Sequence, residues 1–269
     1  MRRQWRGRRG RAVLALLLSL AAWSPGAATN EPPFQPKLPD DSLWPQGRFV
    51  YQRNCLVCHG AYGDGRGDMG RELKPRPRNF GRGIFKYHNT PAGALPGDAD
   101  LERTIRGGLA GTAMPVFSNL SDREIKSVIE YVKSFSARWR NLTNYAPAMV
   151  LPPMPAWFEN EAHLKSRVEK GRALFSTACA ACHGPDGSGR GATAKDLEDS
   201  WGHPTTPSDL RLPALRSGRT LETVYRVVLT GIDGSPMPSF AEALTGEQSW
   251  ELVAFIAQLR QDHAAGHRP

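Results

Sequence analysis

The pentapeptides Cys55-Leu56-Val57-Cys58-His59 and Cys179-Ala180-Ala181-Cys182-His183 share the pattern Cys-x-x-Cys-His. Together they use all four cysteines of the 269-residue chain. In this pattern two thiols can bond to the two vinyl groups of one porphyrin, while the adjacent imidazole turns inward to ligate the iron. Each pentapeptide therefore predicts one site of covalent haem attachment, with His59 and His183 as iron ligands.

Other uses of paired cysteines fit this arrangement less well. The two pairs lie 124 positions apart, whereas two zinc-binding Cys-x-x-Cys pairs are usually separated by about 15–20 residues. A thioredoxin-like redox pair belongs at a strand-to-helix junction and needs no histidine after its second cysteine. Disulfides within each pair would leave both histidines unexplained.

The amino terminus has the parts of a secretory signal. Residues 1–11 contain six arginines and no acidic residue, residues 12–22 form an apolar run, and small residues follow up to Ala28. The run is too short to span a bilayer, for which about 20 residues are needed. We therefore expect residues 1–28 to be a cleaved signal peptide, the mature chain to be periplasmic, and no transmembrane segment to remain in it.

The charge of the chain argues against a nucleic-acid partner. The formal net charge is +9, and six of the positive charges lie in the predicted signal peptide. Residues 29–150 carry a net charge of +5 and residues 151–269 carry −2, and the carboxylates of two haems would cancel the remaining excess. The chain outside the signal therefore has no basic excess that would favour nucleic acid.

One basic segment, residues 71–86, has two interpretations. Its cations are Arg71, Lys74, Arg76, Arg78, Arg82 and Lys86. It is either a solvated loop in which one or two arginines pair with haem carboxylates, or a docking surface for an acidic redox partner. The sequence leaves both open.

The two halves of the chain follow the same plan. A capping box at Ser121 and Glu124, and another at Thr245 and Gln248, each open an apolar pattern with helical period. Shorter helical patterns cover residues 101–109 and 221–229, and no strand-like alternation of useful length occurs. The sequence predicts an all-α chain with two tandem domains, residues 29–135 and 161–269, joined by a Pro-rich linker, residues 136–160.

Two methionines occupy matching positions. Met114 lies 55 residues after His59 and Met237 lies 54 residues after His183, and each is followed by proline and soon by an aromatic residue. A methionine in isolation is more often a core residue than a ligand, but the match favours Met114 and Met237 as the second axial iron ligands. His88 and His203 are the best substitutes.

These features resemble the cytochrome c family over nearly all of residues 42–135 and 162–260. The resemblance implies all-helical domains wrapped round two covalently bound haem c groups. It implies axial ligation by His59 and Met114 in one domain and by His183 and Met237 in the other, with Cys55, Cys58, Cys179 and Cys182 holding the porphyrins. The second domain departs from the first in a longer loop before Pro207, so the way this loop covers the haem is open.

The sequence predicts a dihaem cytochrome that carries single electrons between donor and acceptor proteins, among them a membrane respiratory complex or a periplasmic dehydrogenase. An electron carrier rather than an enzyme is expected, so no catalytic residue is predicted. The alternatives are a haem enzyme, thiosulfate dehydrogenase-like or peroxidase-like, and a cytochrome subunit of a larger dehydrogenase or oxidase complex. Consumption of all four cysteines by haem attachment argues against a Cys-ligated enzyme site, and the matched methionines argue against an open one.

Overall fold

The computed structural model describes residues 34–266, which form helices and loops without a β-strand. The predicted signal peptide, residues 1–28, lies outside the described residues. The α-helices in the described range are α1 (Trp44–Asn54), α2 (Leu56–His59), α3 (Asp98–Gly107), α4 (Asp122–Lys133), α5 (Glu161–Ala178), α6 (Ala180–His183), α7 (Leu221–Thr230) and α8 (Gly246–Ala264). The predicted all-α architecture of two tandem domains is confirmed.

In the first half, α1 crosses α4 at a glycine. A Cβ added at Gly47 would lie 2.1 Å from the backbone oxygen of Ser127, so only glycine allows the two helices to approach this closely. Around the crossing a buried core forms, with Val50, Tyr51, Ile125, Val128, Ile129 and Val132 among its members. The close crossing positions the end of α1, from which the first Cys-x-x-Cys-His begins.

The second half repeats this crossing with α5 and α8. A Cβ at Gly171 would lie 2.0 Å from the backbone oxygen of Glu251 and 3.0 Å from Cβ of Phe255. The core beside it includes Val168, Phe175, Leu252, Val253, Phe255 and Ile256. Two copies of one helix pair therefore support the two cysteine motifs.

The predicted capping boxes begin α4 and α8. The Ser121 backbone N–H donates to Glu124 at 2.9 Å, and the Thr245 backbone N–H donates to Gln248 at 2.9 Å. The helix predicted over residues 221–229 is confirmed as α7. The helix predicted over residues 101–109 exists as α3. It begins three residues earlier, where the Asp100 carboxylate accepts from the Gly97 backbone N–H at 3.0 Å, and it ends two residues earlier, before Gly108, whose φ is 60°.

The Pro-rich stretch, residues 136–160, lies against both halves. Trp139 and Tyr145 pack in the first core, and Trp157 and Phe158 pack against the second. Between them the backbone N–H of Met149 donates to the carbonyl of Asn89 at 2.6 Å. The proline-containing chain thus connects the halves along a fixed path with short 3-10 turns at both ends.

The longer loop of the second half reaches the first half. It closes on itself by a bridge between Glu198 and Pro204 and presents the Trp201 ring to the Arg78 guanidinium at 4.5 Å. Nearby, Asp233 accepts from the backbone N–H of Gly93 at 2.9 Å, and its Oδ2 lies 3.2 Å from Nε2 of the buried His88. The added loop length therefore contributes to the contact between the halves.

Within residues 34–266, no helix combines the length and the apolar character needed to cross a bilayer.

Candidate haem sites

Each cysteine motif adopts the same compact backbone. Cys55 follows α1 and its N–H donates to the Tyr51 carbonyl at 2.8 Å, while Cys179 follows α5 and donates to the Phe175 carbonyl at 2.9 Å. The second cysteine and the histidine then lie on the four-residue helices α2 and α6. Both helices end at a glycine of positive φ, 79° at Gly60 and 78° at Gly184, which lets the chain turn away immediately after the histidine.

A backbone carbonyl orients each motif histidine. Nδ1 of His59 lies 3.1 Å from the carbonyl oxygen of Arg78, and Nδ1 of His183 lies 3.1 Å from the carbonyl oxygen of Ser208. Donation from Nδ1 leaves the Nε2 lone pair free to bind a metal. Burial lowers the pKa of His59 to about 4 and also lowers the pKa of His183, so both rings are neutral, the form that ligates iron.

Cys55 and Cys179 lack the environment of reactive thiolates. Burial raises the pKa of Cys55 to about 12 and that of Cys179 to about 11. Redox-active cysteines need a lowered thiol pKa, so burial acts against the redox alternative. All four cysteines lie in the described part of the chain and none of them forms a disulfide there.

The loops that carry the two methionines are built alike. The carbonyl of Met114 accepts from Leu109 N–H at 3.1 Å, and the carbonyl of Met237 accepts from Ile232 N–H at 3.0 Å. A side-chain hydroxyl two residues earlier accepts from each methionine N–H, from Thr112 in one loop and Ser235 in the other. The match seen in the sequence is therefore also a match in backbone hydrogen bonding.

The structure brings the predicted residues of the second site to one cavity. Cys179, Cys182, His183 and Met237 all line it. Most of the remaining lining is apolar, including Phe175, Leu197, Leu210, Leu215, Val224, Val228, Phe240, Leu252 and Ile256. An apolar cavity with two thiols, a neutral imidazole and a thioether on its walls fits a haem.

In the first site the aromatic ring of Phe80 stacks on His59 with 4.4 Å between ring centroids. Leu210 takes the corresponding position in the second half, two residues after the carbonyl that orients the histidine. Cys55, Cys58 and His59 are held together by α2, and Met114 lies in the loop before α4. The residues of the first half thus offer the same donor set as those of the second.

The two histidines that could substitute for the methionine ligands lie outside the second cavity. His88 is buried, and its Nδ1 lies 2.9 Å from the carbonyl of Thr90 while its Nε2 faces Asp233. His203 is exposed and lies in the loop bridged by Glu198 and Pro204. Neither histidine is among the residues that line the second cavity.

Two residues of the first half line the cavity of the second. One of them belongs to the basic segment, residues 71–86, but no pattern in the sequence predicts that it reaches the second site. They are Lys86 and Tyr87, which reach the cavity across the boundary between the halves. Internal repetition could not identify them, because it finds residues that recur at equivalent positions in both halves. It does not show which residues of one half contact the other half. Arg216, whose cationic side chain also lines the cavity, comes from the second half.

Comparison with known protein families gives two matches along the chain. The model of the family described as cytochrome c oxidase, cbb3-type, subunit III matches residues 42–132 and again residues 166–256. A curated relative, the cbb3-type cytochrome c oxidase subunit CcoP of Rubrivivax gelatinosus, is 28% identical over 225 residues. The aligned part covers 82% of this chain and 56% of the relative, so the chain spans little more than half of the relative's length.

A solved structure has a similar fold. It is a chain of the reducing HAO-like protein complex of Kuenenia stuttgartiensis, with a TM-score of 0.74 and 32% sequence identity. The similarity covers 80% of this chain and 95% of that chain. A match of this extent includes both helical halves.

Proposed function

Because this chain belongs to the family of the cbb3-type cytochrome c oxidase subunit III and contains two haem c domains, we propose that it carries single electrons between redox proteins outside the cytoplasm. Each haem supplies an iron that changes its oxidation state by one electron. The observation that carries the proposal is the repeated donor set: two cysteines, an oriented neutral histidine and a methionine loop in each half.

We assign the residues of each site as follows. The first haem is held by Cys55, Cys58, His59 and Met114, and the second by Cys179, Cys182, His183 and Met237. The cysteines would fix the porphyrin covalently, the carbonyls of Arg78 and Ser208 orient the imidazoles that would bind the iron, and Met114 and Met237 would each supply a thioether ligand. Histidine–methionine ligation raises the reduction potential relative to ligation by two histidines.

The partner that we favour is a respiratory membrane complex. The curated relative is a subunit of a cbb3-type oxidase, and the similar solved chain is part of a protein complex. In this proposal residues 1–28 direct export to the periplasm, where the haems are attached and the partners meet. The chain acts there either as a free carrier or as a bound subunit, and co-purification with membrane complexes distinguishes the two.

Haem counting tests the assignment of the cysteines. We expect denaturing mass spectrometry of the exported protein to give the polypeptide mass plus two haems. The variants Cys55→Ala/Cys58→Ala and Cys179→Ala/Cys182→Ala form a matched pair, and each is expected to retain one haem on the peptide with the intact motif. Retention of two haems in either variant, or fewer than two in the parent protein, would contradict the assignment.

A further inference from the structure

Cationic side chains from both halves meet at the cavity of the second site. Lys86 from the first half and Arg216 from the second line this cavity together with Cys179 and His183. Tyr87, next to Lys86, also lines it. The cavity is thus formed by both halves, and its cations come from both.

In the described part of the chain, neither of these cations is paired with a carboxylate. Among the residues that the structure describes, neither Lys86 nor Arg216 forms an ion pair within 4.0 Å. Burial, and after it the charge of Arg78, lower the pKa of Lys86 to about 8, with a weaker opposing effect from Asp199. A half-buried cation without a counter-ion is unfavourable, because it loses hydration and gains no partner charge in return.

The group expected in this cavity carries the missing anions. A haem is apolar over most of its surface and has two carboxylate side chains on one edge. Both cations line this apolar cavity and lie close enough for the charge of Arg216 to act on Lys86, so the cavity is complementary to that distribution of charge. On the basis of the proposed haem function, we propose that Lys86 of the first half, together with Arg216, binds the carboxylates of the second haem.

In this assignment the reduction potential of the second haem depends on a residue of the first half. A positive charge beside the haem stabilises the reduced iron relative to the oxidised iron, because reduction lowers the positive charge of the site. Lys86 therefore raises the reduction potential of the second haem. The exposed cations of the same basic segment, such as Arg82, lie farther from the cavity lining and serve as a comparison.

The test is a redox titration of the complete two-haem protein followed by absorption. Lys86→Met should change the reduction equilibrium of the second haem about tenfold towards the oxidised form, which corresponds to about 59 mV for one electron. The first haem should keep its potential, Lys86→Arg should restore the parent value, and Arg216→Met should shift the same component in the same direction. Met237→His identifies the component of the second haem, because a second histidine ligand lowers its potential.

Arg82→Met is the matched control, and we expect it to leave both potentials unchanged. An unshifted second haem in both Lys86→Met and Arg216→Met would overturn the inference, as would a shift confined to the first haem. Failure of the proposed function is recognised separately, because mass spectrometry would then find fewer than two haems before any titration. If Lys86→Met does not accumulate, Arg216→Met and Lys86→Gln decide the question by the same measurement.

Discussion

The imidazole of each Cys-x-x-Cys-His motif is fixed by a residue distant in sequence. The carbonyl that faces His59 lies 19 positions later and the one that faces His183 lies 25 positions later. Six added residues in the second loop therefore leave the 3.1 Å contact unchanged. The extra length is accommodated in the loop closed by Glu198 and Pro204, away from the hydrogen bond that orients the ring.

A prediction at the residue scale concerns the methionine ligands. Met114→Ala and Met237→Ala should each remove about half of the weak far-red absorption that accompanies an iron–methionine bond in ferric haem. The reason is that each variant lacks the thioether of one site and keeps the other. Absorption spectroscopy of the oxidised protein measures the effect. Met69→Ala is the control, since Met69 is 57% exposed and has no counterpart in the other half; equal loss in all three variants would rule out the ligand assignment.

The sequence indicates the donor residues more completely than it indicates the rest of the cavity. Cysteine and histidine are identifiable because attachment chemistry fixes their spacing, and the methionines because the two copies agree. The assignment of these eight residues stays a prediction until haems are counted and ligation is measured. Lys86 and Tyr87 could not be found in this way, because their proximity to His183 depends on how the halves pack against one another.

At the scale of the elements, the helix pairs α1/α4 and α5/α8 are the structural support of both sites. The sequence predicted α4 and α8 well, since each begins with a capping box. The helix α4 has one apolar face, whereas α8 is buried on nearly all sides over residues 249–256. It gave no helical period for α1 and α5. These helices bury few apolar residues, mainly Val50 and Tyr51 in one and Val168 and Phe175 in the other, because each makes one close crossing at a glycine.

The crossing glycines give a prediction at this scale. Gly47→Ala and Gly171→Ala should each destabilise the folded protein by about 2 kcal/mol or more, because the new methyl group would overlap a backbone oxygen of the facing helix. Thermal unfolding followed by the circular dichroism of the haem band should show a decrease of several degrees. Gly107→Ala is the matched control: a Cβ there meets nothing within 4 Å, so we expect unchanged or slightly raised stability. Equal unfolding temperatures in all three variants would contradict the close crossing.

At the scale of the whole molecule, the halves are joined by more than the chain between them. Trp201 and Asp233 of the second half contact Arg78, Gly93 and His88 of the first. The sequence showed the extra loop length but not its partner, because the position of an inserted loop follows from tertiary packing and not from local pattern. Arg78 and Lys86 likewise belong to the boundary between the halves, whereas Arg71, Lys74 and Arg82 of the same basic segment are exposed.

Trp201→Ala should loosen this boundary. The contact between an indole and a guanidinium contributes about 0.5–2 kcal/mol, and the ring also packs on Gly234 beside Ile84 of the first half. We expect faster limited proteolysis within residues 145–155 and a larger radius of gyration in small-angle X-ray scattering. Phe49→Ala is the control, because the exposed Phe49 ring contacts the Arg53 guanidinium within the first half, away from the boundary. If the two variants behave alike, Trp201 does not hold the halves together.

The contact made by Trp201 also makes the two halves unequal. It joins unlike surfaces, an inserted loop on one half and an arginine on the other. In the second half, the residue whose carbonyl orients the motif imidazole is Ser208, where the first half has Arg78. A serine offers no guanidinium to an indole ring, so neither half can take the place of the other in this contact.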